Sequence, residues 1–295
     1  MLVVDLGQSG SRIRWQGKEI NSNRGKLQGE NVIDSLRAIF QELEPINAKV
    51  VALSSTGFNG VITAPEPFGV LCKEFFGAER VAIIDDGLAG FIGALHGRDG
   101  VALTIGGGVV SVGGRDGKFA HRDGLGSTFG DEGGGFWLGK LGITKALGIR
   151  QGRGKDEILM SALAEQVASY DLLEVKNAAE AATLAIHSAK YLLEAADAGS
   201  VLAQTIRDEG AFLLAQTVIA TWIGVGGSVE DAPDIAIQGG PSQNPSYVEA
   251  IIFNIKKSLP KATFITARGD NLDGATWIAE NMLHDAAPLL RWASN

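Results

Sequence analysis

The chain has 295 residues, with 26 Lys or Arg against 34 Asp or Glu, for a formal net charge of −8 at pH 7. An acidic balance disfavours a nucleic-acid partner, whose phosphates call for a basic face. Apolar residues at 45% and charged residues at 20% exclude a disordered chain. At a usual domain size of about 150 residues the length predicts two domains, or two halves of one. Glycine is in excess, 40 residues, without the three-residue period of collagen. The glycines cluster: 18 fall between Asp86 and Gly139, whereas Lys155 to Ile223 holds only Gly199 and Gly210. One cysteine, Cys72, rules out a disulfide framework, and the four histidines lack metal-site spacing. The chain enters an apolar strand at once and has no apolar stretch long enough for a bilayer, so the expectation is a cytoplasmic protein without a membrane partner.

In chain order, Leu2 to Asp5, Ser11 to Gln16 and Gly17 to Ile20 are expected strands, joined by DLGQSG and by a turn at Gln16 and Gly17. Val32, Ile33, Leu36, Ile39, Phe40 and Leu43 recur at helical spacing, and Lys49 to Ser54 follows as a buried strand. Pro65 and Pro67 mark a loop, Arg80 to Ile84 a strand, and Asp86 to His96 a small-residue helix. The pattern then restarts, with strands at Val101 to Ile105, Val109 to Gly114 and Gly117 to His121. A shift of one hundred positions pairs Gly7 with Gly107, Ser11 with Ser111, Gly17 with Gly117 and Lys18 with Lys118, which points to two related halves. Phe136 to Ile223 is helical in character, Asp234 to Gln238 is a strand that runs into Gly239, Gly240 and a helix from Pro245, Thr263 to Thr266 is the last strand, and Leu272 to Leu283 the last helix.

Three familiar signatures fail on inspection. Gly134 to Lys140 has P-loop spacing, but Leu141 stands where Ser or Thr must bind magnesium. Gly7 to Ser11 lacks the second glycine of a nucleophile elbow, and Gly124 to Gly130 misplaces its third glycine for a dinucleotide fingerprint. DLGQSGSR, by contrast, offers consecutive amides, two hydroxyls and a carboxylate at a strand end. This composition suits phosphate oxygens, with Asp5 holding magnesium through water; it equally suits a plain hairpin turn. IGGGVVS, at Ile105 to Ser111, adds a second such turn and favours the phosphate reading. IDDGLAG places Asp85 and Asp86 where a strand ends and a helix begins, one fit to cap the helix and the other to act as general base. In GDEGGG, Glu132 suits a first-turn acid and Asp131 suits a sugar's paired hydroxyls.

Taken in order, DLGQSGSR, ALSSTG, IDDGLAGFIGA, LTIGGG, GLGSTFGDEGGGFWLG, IQGGPSQN and LDGA resemble the N-acetylglucosamine kinase branch of the BadF/BadG/BcrA/BcrD ATPase family, which has the actin-like sugar kinase and heat-shock ATPase fold. The resemblance implies an α/β fold of two actin-like (ribonuclease H-like) βββαβα lobes, residues 1–99 and 100–295. A helical insertion over about 136–225 belongs to the second lobe, and ligands bind in the interlobe cleft. It implies ATP and Mg2+ as cofactors, with Asp5 near the metal. The first phosphate loop is then Gly7, Gln8, Ser9, Gly10, Ser11 and Arg12, the second is Gly106, Gly107 and Gly108, and Gly239 and Gly240 lie beside the adenosine. Asp86 matches the catalytic base toward the sugar 6-hydroxyl, with Asp85 the lesser candidate. Asn23, Thr56, Gly57, Gly126 and Asp131 match sugar contacts.

The implied activity is phosphorylation of N-acetyl-D-glucosamine or a related amino sugar, and the resemblance also implies a homodimer. The alternatives are a glucosamine or other hexose kinase of the same fold and a non-catalytic sugar- or nucleotide-sensing protein. The family's dehydratase activators need two cysteines per subunit for an iron–sulfur cluster, and this chain has Cys72 alone. The chain departs from the pattern where Gly107 and Val109 replace the hydroxyl residues usual in the second phosphate loop, and where Leu125 stands at a position many relatives fill with tryptophan. The stretches between Asn23 and Asn31 and between Gly57 and Arg80 are short for the family.

Overall fold

The computed structural model describes all residues except Ser9, Gln28, 172–175 and Asp285, with the backbone alone at Tyr170 and Asp171. Its contacts divide the chain into two compact units, one of Met1–Ala102, Val112–His121 and Thr266–Asn295, the other of Leu103–Ser111 and Arg122–Ile265. No helix among the described residues is long and apolar enough to cross a membrane.

The elements begin with strands β1 (Leu2–Leu6), β2 (Ser11–Trp15) and β3 (Lys18–Ser22), followed by α1 (Val32–Gln41), β4 (Val50–Ser55), α2 (Glu66–Phe76), β5 (Arg80–Asp85) and α3 (Asp86–Leu95). Next come β6 (Gly100–Ile105), β7 (Val109–Arg115) and β8 (Lys118–Asp123). Helices α4 (Gly135–Arg150), α5 (Glu157–Ala162), α6 (Ala164–Asp171), α7 (Ala178–Asp197) and α8 (Val201–Gly224) fill the glycine-poor stretch. The chain ends with β9 (Asp234–Gln238), α9 (Pro245–Ser258), β10 (Thr263–Ile265), α10 (Asn271–Asn281) and β11 (Leu290–Ser294). The prolines at 65 and 67 do not make a plain loop. Pro65 caps α2 and Pro67 occupies its first turn, where a missing N–H costs nothing.

The strand orders are β11-β5-β4-β1-β2-β3 and β10-β9-β6-β7-β8. Counted in each sheet's own chain order, both run 5-4-1-2-3, with β11 added to the edge of the first. The restart read from the sequence is therefore a repeat of topology.

In the first unit, β1 lies parallel to β4 and antiparallel to β2. All five of its residues are buried, which is why LVVDL is apolar except at its functional end. Val4, Leu6, Leu36, Phe40, Leu53 and Leu71 belong to one core beneath this sheet. Helix α10, from the far end of the chain, packs on α3. The approach is close: a side-chain carbon at Gly93 would meet the Asp270 backbone, and one at Gly274 that of Ala89. This packing fixes α3, and with it the end of β5.

Candidate active site

In the first unit, β1 delivers Asp5 to the edge of a four-residue turn. Leu6 pairs with Ser11 across it, and the Gly7 N–H donates to the Gly10 carbonyl at 2.9 Å. Asp5 is buried. Its Oδ1 accepts from the Ser54 hydroxyl at 2.9 Å and its Oδ2 from Arg12 Nη2 at 2.9 Å. Arg12 Nη1 donates to Asp270 Oδ2 at 2.5 Å, and the bond from Asp270 and then that from Asp5 hold the guanidinium firmly charged against the opposing effect of burial. Ser11 Oγ, in the same turn, is buried with no hydrogen-bond partner. Ser9 lies outside the described residues.

The neighbouring segments close round this turn. Gly10 lies against Ser22 and Asn23, and Gly25 against Gln8. The Lys26 N–H donates to the Gly7 carbonyl at 2.9 Å, and its side chain crosses Gly57. The structure thus gathers Asp5, Gly7, Gln8, Gly10, Ser11, Arg12, Asn23 and Gly57 into one region of the first unit.

The two aspartates after β5 have different surroundings. Asp85 is fully buried and both its oxygens are engaged: Oδ1 caps α3 through the Gly87 N–H at 3.0 Å, and Oδ2 accepts from the Gly60 N–H at 3.0 Å. His121 Nε2 lies 3.7 Å from Oδ1. Asp86, the first residue of α3, is half-buried. Burial, then the charges of Asp85 and Asp5, push its carboxyl up to about 7, against the lowering effect of hydrogen bonds from the Thr56 side chain and the Gly87 backbone. A carboxyl in that range at neutral pH suits proton transfer. Asp85 is engaged in structure, whereas Asp86 carries the raised carboxyl.

In the second unit, the β6–β7 turn is Gly106 to Gly108, closed by the Gly106 N–H donating to the Gly108 carbonyl at 2.8 Å. Asp131 supports it from below: its Oδ1 accepts from the Val109 N–H at 3.2 Å, and its own N–H donates to Asp123 Oδ1 at 3.0 Å. Burial raises the Asp131 carboxyl above its ordinary value, with a further push from Asp123. Asp131 therefore has a structural duty beyond the sugar contact expected of it. Gly126 lies in the β8–α4 loop, with the Gly130 N–H bonded to its carbonyl. Gly239 ends β9 at φ 107°, and a side-chain carbon there would run into the Ile105 backbone; only glycine fits both conditions. Gly106, Gly107 and Gly240 all line one cavity of about 790 Å³ that reaches under α7, so two of the three segments expected to bind the nucleotide meet there.

A model of the BadF/BadG/BcrA/BcrD ATPase family matches residues 1–276. The chain belongs to this family. No curated protein matches this BadF-type chain. Among solved structures it is similar to the putative N-acetylglucosamine kinase of Chromobacterium violaceum, at 21% identity and a TM-score of 0.64 over 96% of this chain and 99% of that one. It is also similar to the putative N-acetylglucosamine kinase of Porphyromonas gingivalis, at 16% identity and 0.65 over 96% and 99%. A third is a ROK family glucokinase from Streptomyces griseus, solved with glucose and AMPPNP, at 16% identity and 0.56 over 95% and 98%. At these identities the likeness establishes the two-lobed actin-like fold.

Asp270, Lys26 and Asp123 in the BadF-type site escaped the sequence reading. Asp270 and Asp273 form a capping box on α10, a helix start readable in the sequence, but nothing local links Asp270 to Arg12. Lys26 follows a glycine and shows no periodicity. Asp123 lies just beyond the strand expected to end at His121, and in the structure it closes β8.

Proposed function

We propose that this BadF-type protein is an ATP-dependent kinase that phosphorylates the 6-hydroxyl of N-acetyl-D-glucosamine or a related amino sugar. The observation that carries the reading is the Asp86 carboxyl, raised to about 7 at the mouth of α3, next to the turn around Asp5. In this account Asp86 accepts the hydroxyl proton as the sugar oxygen attacks the γ-phosphorus, and ADP leaves with the electron pair of the broken bond. Asp85 holds Asp86 in place by capping the helix. Thr56 orients the Asp86 carboxylate, and Asn23 and Gly57 shape the wall beside it.

Gly7, Gln8, Ser9, Gly10 and Ser11 offer amides and hydroxyls to phosphate oxygens, and the buried, partnerless Ser11 hydroxyl fits that use. Gly106 to Gly108 provide backbone amides alone, since no hydroxyl stands among them. Arg12 supplies the positive charge, and Lys26, half-buried beside the turn, adds a second. Gly126 and Asp131 complete the sugar contacts.

Magnesium fits Asp5 by its chemistry: a hard oxygen donor beside Asp86, where carboxylate charges already repel one another. Both Asp5 oxygens carry hydrogen bonds, and no group of three or more potential ligands gathers among the described residues, so the ion would be held through water. When bound it would neutralise phosphate charge, the main catalytic task in phosphoryl transfer.

Coupled ADP release across a panel of amino sugars and hexoses tests the reading. Turnover that is greatest with N-acetylglucosamine or a close amino sugar supports it. A preference for glucose would move the substrate to the hexoses, and ATP binding without turnover on any sugar would favour a sensing role.

A further inference from the structure

GDEGGG and the turn at Gly106 to Gly108, separate motifs in the sequence, are joined at three points within the second unit. The Gly135 N–H donates to the Gly106 carbonyl at 2.8 Å and the Phe136 N–H to the Gly107 carbonyl at 2.9 Å. A peptide unit is planar, with its N–H and C=O on opposite sides, so these bonds aim the Gly107 and Gly108 N–H groups away from the start of α4. The third point is Asp131, whose Oδ1 accepts from the Val109 N–H at 3.2 Å. That bond fixes the last peptide unit of the turn, the one whose Gly108 carbonyl accepts from the Gly106 N–H at 2.8 Å. Asp131 does this from an unusual backbone. Its φ is 60°, uncommon for a residue with a side chain, and its N–H and carbonyl are both engaged, with Asp123 Oδ1 and the Gly134 N–H, each at 3.0 Å. Residues held in such a region by surrounding bonds cluster at functional sites.

We infer that Asp131 is a positioning residue for the nucleotide: it sets the aim of the second phosphate turn, so that one residue serves both the sugar and the phosphates. The inference rests on the ATP reading above and adds to it the residue that prepares this turn. With no hydroxyl at Gly106, Gly107 or Gly108, phosphate contact there falls to backbone amides, and a run of glycines holds no direction by itself. Amides already aimed at an anion bind it without the loss of freedom that a loose turn suffers on binding. The carboxyl also packs against the turn, since a side-chain carbon at Gly108 would lie 2.6 Å from Asp131 Oδ2. A substitution on either side of this contact therefore disturbs the other.

The test is equilibrium binding of ADP to the full chain by calorimetry, with no sugar present. Asp131→Gly removes the carboxyl without straining the backbone, and its affinity for ADP should fall about 10-fold with the lost hydrogen bond. Asp131→Asn keeps an acceptor and tolerates the same φ, so it should bind within about threefold of the wild type. A residue that met only the sugar would leave this measurement unmoved. Wild-type affinity in Asp131→Gly, or an equal loss in Asp131→Asn, overturns the inference and leaves the kinase reading standing. Failure of the wild type to bind ADP overturns both. Gly108→Ala reads the contact from the other side and decides alone where Asp131→Gly does not fold. Gly108 lies outside the positive-φ region, and its new side-chain carbon displaces the carboxyl. N-acetylglucosamine binding to the nucleotide-free protein should then weaken about 10-fold, and sugar binding equal to the wild type overturns the inference.

Discussion

Arg12 donates to Asp270 at 2.5 Å across 258 positions of sequence, while its other terminal nitrogen holds Asp5. The C-terminal segment is thereby tied to the turn at the end of β1, because Asp270 also caps α10 and α10 packs on α3. Asp270→Asn should keep the cap, for which Asn serves nearly as well as Asp. It should remove the charge at a stability cost of under about 1 kcal/mol, since the pair is partly solvent-exposed. Asp270→Ala loses the cap as well and should cost about 1 kcal/mol more. Urea denaturation of the two variants measures the difference, and equal losses would show that the cap contributes nothing.

Asp86 predicts two pH effects. As a base it must lose its proton, so kcat/KM should rise with pH through about 7, and Asp86→Asn should lower turnover by about 10²- to 10⁴-fold while ADP binding persists. Stability runs the other way. The folded carboxyl keeps its proton up to about 7 against an ordinary 3.8, so between these values the folded state binds more protons and stability falls as pH rises. Asp86→Asn should therefore gain on the wild type in melting temperature from pH 4 to 7 and hold a constant offset above. A constant offset across the whole range would show that the carboxyl is not raised.

Gly239 and Gly240 are neighbours with opposite requirements. Gly239→Ala forces a side chain into the Ile105 backbone at φ 107° and should cost about 1–3 kcal/mol. Gly240 has helical dihedrals and open space around its Cα, so Gly240→Ala should change stability by less than about 0.5 kcal/mol. Chemical denaturation of both variants compares them directly.

The repeated strand pattern was legible because strand periodicity and glycine turns are local, whereas the shared 5-4-1-2-3 order rests on long-range pairing and was not. Strand β11 was not, since LRWAS gains its meaning only from pairing with β5. Helix α2 was masked by prolines that break a helix interior but suit its start. At the site, Asp85 and Asp86 were indistinguishable as letters, and the full burial and Gly60 bond of Asp85 and the raised carboxyl of Asp86 separate them. At Gly107 a side-chain carbon would lie 2.8 Å from Ile186 Cδ1 on α7, but Ile186 is exposed and its side-chain end can turn aside, so the structure does not explain the missing hydroxyl.

The central claim is that Asp86 takes a sugar proton during phosphoryl transfer from ATP. Coupled ADP release with N-acetylglucosamine, measured for the wild type and Asp86→Asn in parallel with ADP binding, tests it most directly. The account predicts sugar-dependent turnover in the wild type and its loss in the variant, with ADP bound equally by both. Undiminished turnover in Asp86→Asn would contradict it.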